Sequence, residues 1–370
     1  MFEKQENAKN DLTRRKFMHD TAATAAGVAV GLGAASGQAA DKGPKSTRSY
    51  NPEMKYKPMG RTGEWVSKVC LGGHWKRIDE VVPGVFMDAK KWLSADLDMD
   101  AFQKNRYDVV TRCTERGINY IDACTWQECV AYARALKGRR DSMFLGFSWY
   151  QEEMRKKEFR TAKALIGTLD KGMREAKLDY VDVWRITMLS QSGRHTEGEV
   201  AEMMEALEIS KKQGKARFVG LSSHDRLHIN KMIEQYPKTI EVVCTPFTAK
   251  TKVAPKDSMF DSAKKHGVAV FGIKPFSSNR LFKGDSAPDN PNAEQDDRLA
   301  RMTIRYIIET DAITAPIPGM INAHQVDNVA KAVTEGPLAK EEAEELELAM
   351  DRAWANLPAH YQWLKNWEYA

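Results

Sequence analysis

The sequence predicts a (β/α)8 barrel, and three observations carry that expectation. Short strand-like runs alternate with stretches of helical periodicity eight times along the chain. The runs are continuously apolar, as suits a parallel sheet covered on its outer face. The 370 residues also provide the length that eight such units need. An open doubly wound sheet is the rival, but it would have fewer strands and a glycine-rich first turn.

In order along the chain, MKYKPMGRTGEWVSKVCLGG reads as a hairpin around Gly-Arg-Thr-Gly that enters a first strand, Val66–Leu71. Further strands are expected at Tyr120–Ile121, Met143–Phe147, Tyr180–Ile186, Phe218–Leu221, Glu241–Val243, Val268–Ile273 and Ile313–Ile317. Helices are expected near 98–116, 127–137, 157–176, 197–213, 225–235, 256–266, 294–309 and 323–334, with a last one at 339–353. The loop from His74 to Asp98 is long for such a unit, and its Trp75, Val82, Phe86 and Trp92 predict a small core of its own. The tail from Trp354 to Tyr369 carries Trp354, Tyr361, Trp363, Trp367 and Tyr369. Packing on the outside of the barrel is the expectation for it, and lining a substrate pocket is the alternative.

Composition narrows the function classes. Hydrophobic residues make up 42% and charged residues 29%, a globular balance. Fifty-six basic against 51 acidic side chains give +5 with no long basic block, which argues against a nucleic-acid partner. Five cysteines without a CxxC pair point away from zinc ribbons, iron–sulfur ligation and a disulfide scaffold.

Residues 13–18 read TRRKFM and are followed by the weakly apolar TAATAAGVAVGLGAASGQAA. A basic start, an apolar middle and a small-residue end form an export signal. Arg14, Arg15 and Phe17 resemble the twin-arginine signal of bacteria. The expected organisation is a signal over 1–39, a linker over 40–53 and a barrel over 54–370. The resemblance implies a periplasmic or otherwise exported protein, the twin-arginine machinery as a partner, and no stable membrane insertion after cleavage. GLGAAS within this stretch is close to a dinucleotide fingerprint, but no strand precedes it.

Seven stretches, in order over roughly 55–335, resemble the aldo-keto reductase superfamily: KYKPMGRTGEWVSKVCLGG, GINYIDAC, ALKGRRDSMFLGFS, LDYVDVWRI, GKARFVGLSS, KKHGVAVFGIKPF and ITAPIPGMINAHQVDN. The resemblance implies reduction of a carbonyl or sugar-like small molecule by NADP or NAD. Asp122 matches the catalytic aspartate. Gln127, Ser148 and Thr187 stand where the family has Tyr, Lys and His. A Gln amide supplies no proton, and losing one positioned acid costs ~10²–10⁴-fold. The reaction therefore needs another donor. His74, at the same barrel mouth, is the candidate, since histidine as a residue type serves as acid or base near neutral pH, with Tyr150 as a second.

For the cofactor, the resemblance implies contacts at Gly72, Gly73, Ser222, Ser223, Lys274, Pro275 and Gly319, with Phe247 stacked on the nicotinamide. Gly319 and a helix start at Asn322 offer an anion site. Ile321 replaces a phosphate-binding Ser. His224 and His228 lie one helical turn apart, but no further ligands are marked, so no metal is expected. Cys124 and Cys129 are expected as free thiols. The alternatives to an oxidoreductase are a non-catalytic binding barrel and a cofactor-independent isomerase or lyase using Asp122 and His74.

Overall fold

The computed structural model describes residues 43–88, 92–251 and 258–366, so the signal-like segment lies outside the described residues. An antiparallel hairpin, β1 (Tyr56–Pro58) and β2 (Trp65–Ser67), comes first. Eight parallel strands follow: β3 (Leu71–Gly72), β4 (Tyr120–Ala123), β5 (Phe144–Phe147), β6 (Val181–Thr187), β7 (Ala216–Ser222), β8 (Val242–Pro246), β9 (Ala269–Ile273) and β10 (Ala315–Ile317). Their order in the sheet is their order in the chain. The seam between β10 and β3 closes through Cys70 N–H to Pro316 O (3.0 Å), Gly72 N–H to Pro318 O (2.7 Å) and a parallel bridge between Gly72 and Gly319. The chain is thus a (β/α)8 barrel.

The helices are α1 (Asp100–Glu115), α2 (Trp126–Ala135), α3 (Ala162–Ala176), α4 (Glu197–Lys212), α5 (Arg226–Gln235), α6 (Met259–His266), α7 (Ala293–Ile308), α8 (Ala323–Ala332) and α9 (Lys340–Ala355). Their starts are chemically marked. Thr125, Thr161, Thr196, Asp225, Ser258 and Asn322 each cap a first-turn N–H. Thr125 with Glu128 and Thr196 with Glu199 form reciprocal capping boxes.

The expected first strand divides in two. β2 ends at Ser67, whose Oγ–H donates to Val69 O at 2.6 Å as the chain turns from the hairpin into the barrel. The hairpin seals the floor. Met59 and Val66 join the interior layer of Cys70, Tyr120, Phe144, Val183, Val242, Cys244 and Phe271, with Tyr120 stacked on Phe271 at 4.4 Å. The larger apolar layer lies between strands and helices, which is why these strands read as unbroken hydrophobic runs.

The polar stretch expected as a linker is described from residue 43, and from there it is fastened to the floor. Arg48 reaches Asp182 at 2.8 Å and Ser49 Oγ–H donates to Ser142 O at 2.8 Å. Asp182 is fully buried and also accepts from Arg140 (2.6 Å), Arg217 (3.0 Å) and the Leu145 N–H (3.0 Å). The long loop after β3 joins the main outer core and does not form a separate one: Trp75, Ile78, Val82 and Val85 are buried in it, Phe86 packs against it, and Trp75 meets Phe102 edge-on at 5.1 Å, while the Trp92 side chain lies outside what is described.

Candidate active site

Where the strands end on the side away from the hairpin, the barrel opens into a cavity of about 880 Å³. That volume suits a small molecule with a cofactor. Asp122, on β4, lines it and is buried. Both its oxygens are taken by Arg185 on β6, Nε to Oδ1 and Nη2 to Oδ2, each at 2.6 Å. Burial disfavours the guanidinium charge, but Asp122 outweighs it and holds Arg185 charged. The bidentate pair leaves Asp122 neutralised and fixed.

His74 also lines the cavity, just after β3. Its Nδ1 lies 2.5 Å from Glu128 Oε1. Glu128 is fully buried. Its Oε2 accepts the Cys124 N–H (2.8 Å) and the Thr125 N–H (3.1 Å). Burial raises the pKa of this carboxyl, but His74 and the two N–H groups together bring it below its ordinary value. One carboxylate thus completes the cap of α2 with one oxygen and grips the imidazole with the other.

The positions that resemble the family's Tyr, Lys and His take other roles. Gln127 is outside the lining and faces Gln151 at 3.5 Å. Ser148 Oγ and Thr187 Oγ1 are 2.7 Å apart around a third buried carboxylate, Glu153. Glu153 accepts from Ser148 Oγ–H (2.7 Å), Thr187 N–H (2.7 Å) and Trp149 N–H (2.9 Å). Burial raises its pKa despite these donors. Thr187 faces the cavity, whereas Ser148 does not line it.

Gly72, Gly73, Ser222, Lys274, Pro275 and Gly319 are all brought to the cavity. The glycines have a structural cause there. A Cβ would lie 2.8 Å from Pro318 O at Gly72 and 2.6 Å from His74 O at Gly319. Phe247 and Ser223 are not brought there. The Phe247 ring packs onto Phe260 at 5.7 Å in the apolar layer between strands and helices, and its own N–H continues the ladder to Ile273 O. Ser223 Oγ binds Ser192 Oγ at 2.8 Å under the loop after β6. Tyr150 lines the cavity with the Arg155 guanidinium 4.9 Å over its ring, and burial raises its phenol.

His224 and His228 share no ligand: His224 stacks on Trp363 at 4.4 Å, while His228 Nδ1 meets Ser192 Oγ at 2.8 Å. Among the described residues, His74, Cys124 and Glu128 do have metal-like spacing, their atoms all within 4.8 Å of one another. The His74–Glu128 hydrogen bond accounts for that geometry, and burial followed by Glu128 raises the Cys124 thiol, so it is a poor ligand as it stands.

The tail enters the site as well. His360 and Tyr361 line the cavity. Lys76 and Lys274 each lie 5.7 Å from the Tyr361 ring. Burial raises this phenol, but Lys274 and Lys76, with a hydrogen bond from Ser278, bring it below the ordinary tyrosine value. Composition favoured simple packing for the tail. The neighbours that draw it in are far away in sequence, so local pattern carried no sign of them.

Solved structures of the same architecture include the aldo-keto reductase AKR11C1 from Bacillus halodurans. The match to its holo form is 19% identical with a TM-score of 0.55, covering 80% of this chain and 96% of that one. The apo form gives 20% identity and 0.54 over the same shares. An aldo/keto reductase from Brucella melitensis is 14% identical with a TM-score of 0.54, over 80% of this chain and 99% of that one. At these identities the likeness concerns the fold. The sequence model of the aldo/keto reductase family matches residues 99–350, more than half of the chain, and the protein therefore belongs to the aldo/keto reductase family.

Proposed function

We propose that this protein is an exported, nicotinamide-dependent carbonyl reductase in which His74, held by Glu128, replaces the usual proton donor. The observation that carries the reading is the 2.5 Å contact between His74 Nδ1 and a buried carboxylate, beside Asp122 at the barrel mouth. Such a carboxylate fixes the tautomer and orientation of an imidazole and stabilises its cation. Protonated, His74 gives its Nε2 proton to the carbonyl oxygen as negative charge develops there. Glu128 holds the opposite N–H throughout. Arg185, locked onto Asp122, fixes a charge-paired guanidinium in the same wall.

The residues present fit a dinucleotide. Lys274, Ser278 and Asn279 have φ of 62°, 60° and 63°, a left-handed turn after β9 that lines the cavity. The start of α8, capped by Asn322, faces the same space and favours an anion. These residues would hold the phosphates, and Ser222 at the end of β7 the carboxamide. A bound reduced nicotinamide supplies the hydride. Phe247 is packed away, so the stacking ring that the family resemblance suggested has no counterpart at that residue.

Tyr361 is a second reading for the donor, because two lysines acidify its phenol. Steady-state kinetics with NADH or NADPH and a carbonyl panel separate the two. His74→Gln should lower kcat by ~100-fold or more, with Glu128→Gln also impaired and Tyr361→Phe within a few-fold of the parent. A variant His74→Gln that keeps its activity, with Tyr361→Phe inactive, moves the donor to the tail.

Export is supported by Arg14, Arg15 and the small-residue stretch after them. Replacing both arginines by lysine should leave the folded protein in the cytoplasm, detected by fractionation. Undiminished export of that variant would overturn this part of the reading.

A further inference from the structure

Among the described residues, His74, Cys124 and Glu128 are the one group of three such side chains whose ligand atoms all lie within 4.8 Å of one another. The hydrogen bond between His74 and Glu128 holds two of them together and gives the third no part. Yet Cys124 Sγ lies 3.9 Å from Nδ1, the same ring nitrogen that meets Glu128 Oε1 at 2.5 Å. A proton relay through an imidazole uses two nitrogens for two partners. Here both partners converge on one nitrogen, as ligands do around a shared ion. The other acid–histidine pairs, His195 with Glu199, His266 with Glu234 and His324 with Asp297, have no third ligand atom of this kind among the described residues.

The separations suit a tetrahedral ion. Zinc holds sulfur at ~2.3 Å and nitrogen or oxygen at ~2.1 Å, so its S and N ligands sit ~3.6 Å apart and its N and O ligands ~3.3 Å apart. The sulfur is already near its place. The imidazole has to withdraw from the carboxylate by less than ~1 Å, and its side chain is 41% exposed on the open side of the barrel. Glu128 is the fixed member: it is fully buried, its Oε2 accepts the Cys124 and Thr125 N–H groups, and its own N–H donates to Thr125 Oγ1 at 3.2 Å. The rigid cap of α2 therefore carries two of the ligands, and the loop after β3 brings the third. His74 and Cys124 both line the cavity, which gives an ion its way in.

We propose that His74 Nδ1, Cys124 Sγ and Glu128 Oε1 form a site for a soft divalent cation of the zinc class, and that this ion competes with the proton on His74. As a thiol, Cys124 is a poor ligand. The ion displaces the thiol proton to solvent, and the imidazole keeps its proton on Nε2. Thiolate and carboxylate then set two negative charges against the two positive ones of the ion. Sulfur and imidazole select zinc-like ions over magnesium or calcium. The site stands on its geometry alone. That the ion inhibits rests on the reductase reading, in which Glu128 holds Nδ1 and His74 has a proton to give.

Cobalt(II) is the probe, because its bond to a thiolate gives a near-ultraviolet charge-transfer band. The full chain, freed of metal with a chelator, should develop that band with one equivalent of cobalt, and zinc should bleach it. Cys124→Ala should abolish the band and weaken zinc binding in calorimetry by at least the ~10–100-fold that loss of a supporting group costs a metal site. His74→Gln should weaken both, and serves if the first variant does not fold. His266→Gln, at a pair without a thiol, should change neither. No band in the parent, or a band that Cys124→Ala or His74→Gln leaves intact, overturns the site. Zinc should also inhibit carbonyl reduction by the parent, reversibly with chelator, and spare Cys124→Ala. Cobalt bound through these residues with reduction undiminished keeps the site and overturns both the inhibition and His74 as donor. If no carbonyl is reduced at all, the reductase reading fails and the band still decides the site.

Discussion

Arg185 lies inside VDVWRIT, a strand whose seven residues are all buried. A charge in such a run needs a partner, and that mismatch was the one sign in the sequence of the Asp122 pair. The partner itself is 63 residues away, beyond what local pattern reaches. Glu128 was half legible: Thr125 and Glu128 have capping-box spacing, but the grip on His74 depends on the closed barrel. Asp182 belongs to the same class of buried acids and yields a stability prediction. Burial raises its pKa, and Arg140, Arg48 and Arg217 more than reverse that, holding it well below the usual carboxylate range. A depressed folded pKa gives stability that is present above the unfolded value, near ~4, and is lost as pH falls through the folded one. Asp182→Asn should therefore cost ~3–5 kcal/mol at pH 7, since three guanidinium groups lose their partner. Urea denaturation should show the gap between variant and parent narrowing below about pH 4.

Strands and helices were the most legible scale, because eight units repeat the same apolar run and the same periodicity. Two features of the elements were not. The start of the barrel is split between a hairpin strand and a two-residue strand, a division made by hydrogen bonds to Ser67 and Asn119 rather than by residue type. Backbone contact between strands was equally hidden. At Gly220 on β7 a Cβ would lie 1.8 Å from Val242 O on the neighbouring strand. No side chain moves aside to relieve a clash with backbone, so Gly220→Ala should destabilise by ~3 kcal/mol or more. Gly167, exposed on α3 with nothing within 4 Å of a Cβ, should respond the other way. Gly167→Ala is expected to stabilise by ~0.5–1 kcal/mol. Thermal melts of the two variants against the parent check both signs.

At the scale of the whole molecule, all five cysteines are free thiols: Cys70, Cys113, Cys129 and Cys244 are buried and Cys124 is half-buried. No covalent staple contributes to this fold, so dithiothreitol should leave its melting temperature unchanged within error. A downward shift would show that Cys124 and Cys129 do pair. Among the described residues, no helix is long and apolar enough to cross a membrane. The tail, which composition alone could assign only as aromatic, brings Tyr361 beside two lysines of the cavity. The mouth of the barrel is therefore walled in part by a segment that follows all eight strands, so whatever fills that side of the space meets groups brought from far along the chain.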